Sequence, residues 1–147
     1  MGKPTTEIPF IPKLVRYEIF AICTNLNVFQ FCATINSLFS INLQGQKHIP
    51  LELQGKVVEP SHYSSSKPND NVTITVVENQ VDGQPLVDFL KNISYFVKIS
   101  PIVTESQIED FRKVLSSTEN FTFVQRVAQL NFTKQQETTL NTIFQRI

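Results

Sequence analysis

The stretch LNVFQFCATINSLFSINL, residues 26–43, decides how this chain is read. It sits inside a longer run, Ile19 to Gln46, that carries no charged residue. A run of that length raises the possibility of a membrane span. Asn25, Asn27, Gln30, Asn36 and Asn42 argue against one, because each unpaired amide in hydrocarbon costs on the order of kilocalories. The pattern also alternates. Phe29, Phe31, Ala33 and Ile35 fall on one side of an extended chain, and Phe39, Ile41 and Leu43 do the same. Alternation of aromatic and β-branched residues predicts two half-buried strands, with Asn36-Ser37 as the turn between them.

Further strands are expected downstream. In HIPLELQGKVV, residues 48–58, Ile49, Leu51 and Leu53 alternate. In NVTITVVEN, residues 71–79, Val72, Ile74 and Val76 alternate against Thr73, Thr75 and Val77. Between them, residues 59–70 (EPSHYSSSKPND) read by composition as a mobile loop. Upstream, residues 14–25 fit either period. Val15, Ile19, Ile22 and Leu26 would share a helical face, and Tyr17, Ile19, Ala21 and Cys23 would share a strand face. Pro12, suited to a helix start, tips the reading towards helix.

The second half changes period. After Asp82-Gly83, Leu86, Phe89, Leu90, Ile93 and Val97 form a helical stripe, although YFVKIS, residues 95–100, could instead be a strand stopped by Pro101. Thr104 and Gln107 make a capping box, Val103 can staple onto Ile108, and Ile108, Phe111, Val114 and Leu115 follow as an apolar face. Residues 119–131 offer Phe123, Val127 and Leu130. A second capping box, Thr133 with Gln136, opens a last helix whose stripe is Leu140, Ile143, Phe144 and Ile147. Strands first and helices after predict an α+β fold. The expected form is an antiparallel sheet of about four to five strands from the N-terminal half, covered on one side by three to four helices from the C-terminal half.

At 147 residues, the chain suits one domain. Residues 14–147 are expected to form it, with the sheet over about 14–78 and the helices over about 84–147. Residues 1–13 (MGKPTTEIPFIPK) read as an extended arm, held out of helix by Pro4, Pro9 and Pro12. Gly2 and Thr6 match the loose acylation pattern M-G-x-x-x-[ST], with Pro4 against it. The polar start lacks the form of a secretory signal, so an intracellular location is expected.

Chemistry is sparse. Neither His48 nor His62 has a Cys, Ser or carboxylate placed beside it by a recognisable motif. Ser64 and Lys67 have the bare S-x-x-K spacing, but Pro68 follows at once and no companion motif exists. Four glycines in the whole chain leave no phosphate-cradling loop. Cys23 and Cys32, both within apolar stretches, read as buried free thiols. No catalytic residue, cofactor or metal ligand is expected, and the chain is read as a non-enzyme.

Charge points the same way. Thirteen basic and thirteen acidic residues, 18% in all, cancel to a net charge of zero. The densest basic group, Arg112 and Lys113, directly follows Glu109 and Asp110, which argues against a dedicated nucleic-acid binder. A weakly charged surface built from amides and hydroxyls resists association poorly. The expected function is therefore a protein–protein interaction or structural subunit, whose partners are other subunits or copies of itself. Its binding residues are expected to be Ile8, Phe10 and Ile11 on the arm, and Leu140, Ile143, Phe144 and Ile147 on the last helix. A single-stranded nucleic-acid module, stacking bases on Phe29, Phe31, Phe39 and Tyr63, is the alternative. A small enzyme without a familiar motif ranks third.

Overall fold

A computed structural model describes residues 16–67, 71–102 and 104–147. The elements in chain order begin with strand β1 (Glu18–Thr24), helix α1 (Val28–Phe39), β2 (Gln44–Gly45), β3 (Leu51–Leu53), β4 (Lys56–Val58), β5 (His62–Lys67) and β6 (Val72–Glu78). They continue with β7 (Gln80–Val81), β8 (Gln84–Pro85), β9 (Tyr95–Ser100), α2 (Glu105–Ser116), β10 (Phe121–Arg126) and α3 (Lys134–Arg146). Single 3-10 turns lie at Asp88–Leu90 and Val127–Gln129. The architecture is α+β. Its main sheet has six strands in the order β10-β1-β9-β6-β5-β2, with every pairing antiparallel.

The decisive stretch is a helix. Asn27 caps it: Gln30 N–H donates to Asn27 Oδ1 at 2.9 Å, and Asn27 N–H donates to Gln30 Oε1 at 3.0 Å. This reciprocal pair satisfies two of the orphan donors at a helix start. Phe31, Ile35 and Phe39 recur every fourth residue and are buried, while Phe29 and Ala33 face out. Asn36-Ser37, expected as a turn, lies in the last helical turn, and Ser40 ends the helix in the left-handed region at φ 55°.

Other expectations change too. Residues 18–24 form the strand β1 rather than a helix. β1 lies between β9 and β10 and is buried on both faces, Phe20 and Ile22 to one side and Ile19 and Ala21 to the other. A strand covered on both sides has no polar face, so it shows no alternation. Within the expected loop 59–70, residues 62–67 are the strand β5, paired along its length with β6. The expected helix over 86–97 is a 3-10 turn followed by β9. Residues 121–126 are strand β10. The C-terminal half thus supplies two α-helices, α2 and α3, and the third, α1, comes from the N-terminal half.

Helices cover both faces of the sheet rather than one. On the first face, Phe31, Ile35 and Phe39 of α1 and Ile108 and Leu115 of α2 meet Phe20, Ile22, Ile74, Val76, Val97 and Ile99. On the second, Leu140, Ile143 and Phe144 of α3, with Leu51 of the β3–β4 hairpin, meet Ile19, Ala21, Val77 and Phe96. That hairpin turns at Gln54-Gly55, both at positive φ, a geometry that suits glycine at the second place. Both C-terminal capping boxes form as expected, at Thr104/Gln107 and Thr133/Gln136. Val103 lies outside the described residues, so its staple does too.

Candidate functional site

The two edges of the main sheet are built differently. One edge is β2, two residues long, paired to β5 through Gln44 and Gly45. The other is β10, six residues long, paired to β1 on one side and, among the described residues, to no strand on the other. An edge strand presents a row of backbone donors and acceptors that invite another strand. Shortness, charge, proline and bulges usually blunt that invitation. In β10 (FTFVQR) the only charge is Arg126, at its very end, and no proline occurs. One irregularity of register lies between Cys23 and Thr24, opposite the first residues of β10.

The strand is anchored at both ends. Arg126 Nη2 donates to Glu18 Oε2 at 2.9 Å, and Arg126 Nη1 donates to Glu105 Oε1 at 3.0 Å. The Arg126 and Glu18 side chains are only 14% and 7% exposed. Burial opposes the charge on Arg126, but the two carboxylates outweigh it and hold its pKa above the ordinary value. Arg126 therefore ties the end of β10 to β1 and to the first turn of α2. At the other end, Thr24 Oγ1 donates to the Asn120 carbonyl at 2.8 Å, and Thr122 Oγ1 donates to the Cys23 carbonyl at 3.2 Å. Beneath it, the Phe121 ring lies 5.2 Å from Phe31, which in turn stacks on Tyr95 at 4.1 Å. This is a rigid edge, with little ordering left to be done when something pairs with it.

Apolar side chains stand around it. Among the described residues, the large hydrophobics that are exposed are Phe29 (84%), Val57 (65%) and Phe123 (41%). Phe123 belongs to β10 and stands opposite Cys23. Phe29 is in the first turn of α1, two residues from the Phe31 that touches Phe121. Of the three, Phe123 belongs to the open edge itself, and Phe29 stands on the outward side of α1. Val57 belongs to β4, in the separate hairpin.

The residues expected to bind partners fall elsewhere. Ile8, Phe10 and Ile11 lie outside the described residues. Leu140, Ile143 and Phe144 are buried in the domain's own second core, and Ile147 packs at its margin. Phe144 meets Phe96 edge to face at 5.3 Å. Lys98 Nζ donates to the Phe144 carbonyl at 2.6 Å and stands 4.8 Å over the Tyr17 ring. The stripe is thus committed to the sheet as long as α3 stays docked. A groove of about 380 Å³ remains beside it, lined by Tyr17, Val127, Leu130, Phe132, Leu140 and Phe144.

Of the four aromatics weighed as base-stacking platforms, Phe31 and Phe39 are core, Tyr63 is partly buried and Phe29 is exposed. A stacking surface needs its rings open on one side, whereas Phe31, Phe39 and Tyr63 pack into the first core and Phe29 alone of the four is open.

His62 is buried, and Cys32 and Cys23 are half-buried. His62 is 5% exposed, and its Nδ1 is buried with no hydrogen-bond partner. Burial lowers its pKa, opposed by a hydrogen bond to the Pro60 backbone and assisted by nearby His48. Cys32 is pushed up to about 11, first by burial and then by the Glu78 charge, so it is a thiol at neutral pH and a poor nucleophile. Cys23 is also raised by burial, and its Sγ donates to the Asn92 carbonyl at 3.1 Å. Ser64 lies along β5 with its Oγ 3.0 Å from Thr75 Oγ1, not at a helix start where an S-x-x-K nucleophile would sit. Among the described residues, no group of three or more His, Cys, Asp or Glu side chains is placed to hold a metal, and no helix is long and apolar enough to cross a membrane.

Compared with known protein families and with curated proteins, the chain matches none.

Residues 119–131, read from the sequence as an apolar segment, hold this edge strand. The signal was present in FTFVQR, six residues of aromatic and β-branched character without an internal charge. Thr118, Glu119 and Asn120 before it form the short turn out of α2.

Proposed function

We propose that this chain is a non-enzymatic protein-interaction subunit, built to be covered by another polypeptide. The observation that carries the proposal is the contrast between a six-residue open edge at β10, whose one charge is Arg126 at its end, and the two-residue edge at β2. Phe123, exposed on β10 itself, gives an incoming strand apolar contact. A net charge of zero removes long-range repulsion between this surface and a partner. The arm residues Ile8, Phe10 and Ile11 add apolar side chains on the same reading. The stripe Leu140, Ile143, Phe144 and Ile147 is a contact surface only if α3 leaves the sheet.

The test is gentle extraction from the native source, followed by size separation and hydrogen exchange. The chain is expected in a species larger than its own 16.8 kDa, with the amides of residues 121–126 protected. A free 16.8 kDa chain with β10 amides exchanging as in the purified protein contradicts the proposal.

A further inference from the structure

Resting on that reading and naming its partner, we infer that the β10 edge pairs with the β10 edge of a second copy of this chain. The two sheets would then join antiparallel across a two-fold axis. Three features favour a second copy over an unrelated strand.

The first is self-complementarity of charge. Residues opposite one another in an antiparallel pair have numbers with a constant sum. With Phe123 on the axis, Arg126, the only charge in the strand, falls towards the start of the second copy's strand, past its irregularity of register, rather than opposite another Arg126. Its guanidinium is in any case already neutralised by Glu18 and Glu105. No like charges meet along the seam.

The second is the side-chain match. The exposed Phe123 meets its own copy at the axis, and aromatic pairs across neighbouring strands are among the favourable ones. The third is geometry. A closed two-fold contact uses one patch on each copy and leaves the two-residue β2 strands as the outer edges of the joined sheet, so growth stops at two.

The contact is small. Six residues on each side compare with roughly 20–30 in a standard interface, so the dimer is weak and depends on concentration.

Sedimentation equilibrium of the full chain across a wide concentration range tests this. The weight-average mass is expected to climb from 16.8 kDa towards twice that value. The double variant Phe123→Lys with Gln125→Lys is expected to remain at 16.8 kDa throughout, because lysines on an edge strand block pairing. Val57→Lys, which removes a still more exposed apolar side chain in the separate β3–β4 hairpin, is expected to associate like the wild type. Self-association that survives the β10 double variant, or that is lost equally in Val57→Lys, overturns the inference. So does a wild-type chain that stays monomeric at every concentration. If the double variant misfolds by circular dichroism, wild-type hydrogen exchange at low and high concentration decides: protection confined to 121–126 supports the pairing, and its absence overturns it. A monomeric chain whose β10 amides are nevertheless protected in the native extract removes only the second copy and leaves the interaction reading standing.

Discussion

The edges at β10 and β2 close the same sheet with opposite solutions. β2 is cut to two residues and leads into residues 46–50, so a neighbouring strand finds almost no ladder to extend. β10 keeps six residues, pinned by Arg126 at one end and by Thr24 and Thr122 at the other, with Phe121 packed onto Phe31 beneath it. Sheets usually blunt both edges. Blunting one and stiffening the other is what a domain needs if it is to be joined on one side only.

The comparison can be broken most severely from below. Phe31 is fully buried and joins Tyr95 to Phe121, so Phe31→Ala is expected to lower stability by about 4 kcal/mol and to loosen β10 before β2. Chemical denaturation gives the total, and hydrogen exchange gives the order. Next is Arg126→Ala, which leaves the Glu18 carboxylate buried without its cation. A loss of about 3 kcal/mol is expected, together with fraying at the 126 end of the strand. The matched change at the other edge, Gln44→Ala, is expected to stay within about 0.5 kcal/mol, since the residue is exposed. Asn27→Ala removes the cap of α1 and is expected to cost about 1 kcal/mol by the same denaturation assay.

Mild acid should act first on the β2 side. His62 lies in β5, next to β2, and its carbonyl accepts the Gln46 amide at 2.9 Å. Its folded pKa lies below the ordinary 6.5 because burial disfavours the charged ring. The unfolded chain therefore binds the proton first, and stability is expected to fall as pH drops below about 6.5. Above that value His62 contributes no pH dependence. His62→Asn should flatten the decline, and the protection of residues 44–46 relative to their intrinsic exchange should fall in mild acid while that of 121–126 holds. An NMR titration of the His62 ring gives the sign directly.

These residues also show which parts of the structure were legible in the sequence. The helices α2 and α3 were, because Thr104/Gln107 and Thr133/Gln136 announce their starts and a single apolar face follows each. So was β6, with Thr73 and Thr75 set between Val72, Ile74 and Val76. The helix α1 was misread because Phe31, Ile35 and Phe39 are spaced by four, and a spacing of four satisfies a strand's period of two as well as a helical stripe. The Asn27/Gln30 box was the deciding signal. β1 was ambiguous because both its faces are buried. β5 reads as a loop by composition, since its HYSSSK sequence has little intrinsic preference for a strand and takes that form through pairing with β6. The candidate edge was hidden for another reason: whether a strand is paired on one side or two depends on strand order, which no local pattern encodes.

The central claim concerns one strand, and hydrogen exchange of the wild-type chain at low and high protein concentration tests it most directly. The account predicts that amides within 121–126 become more protected as concentration rises, while those of Gln44 and Gly45 do not change. Equal exchange in β10 at both concentrations would contradict it.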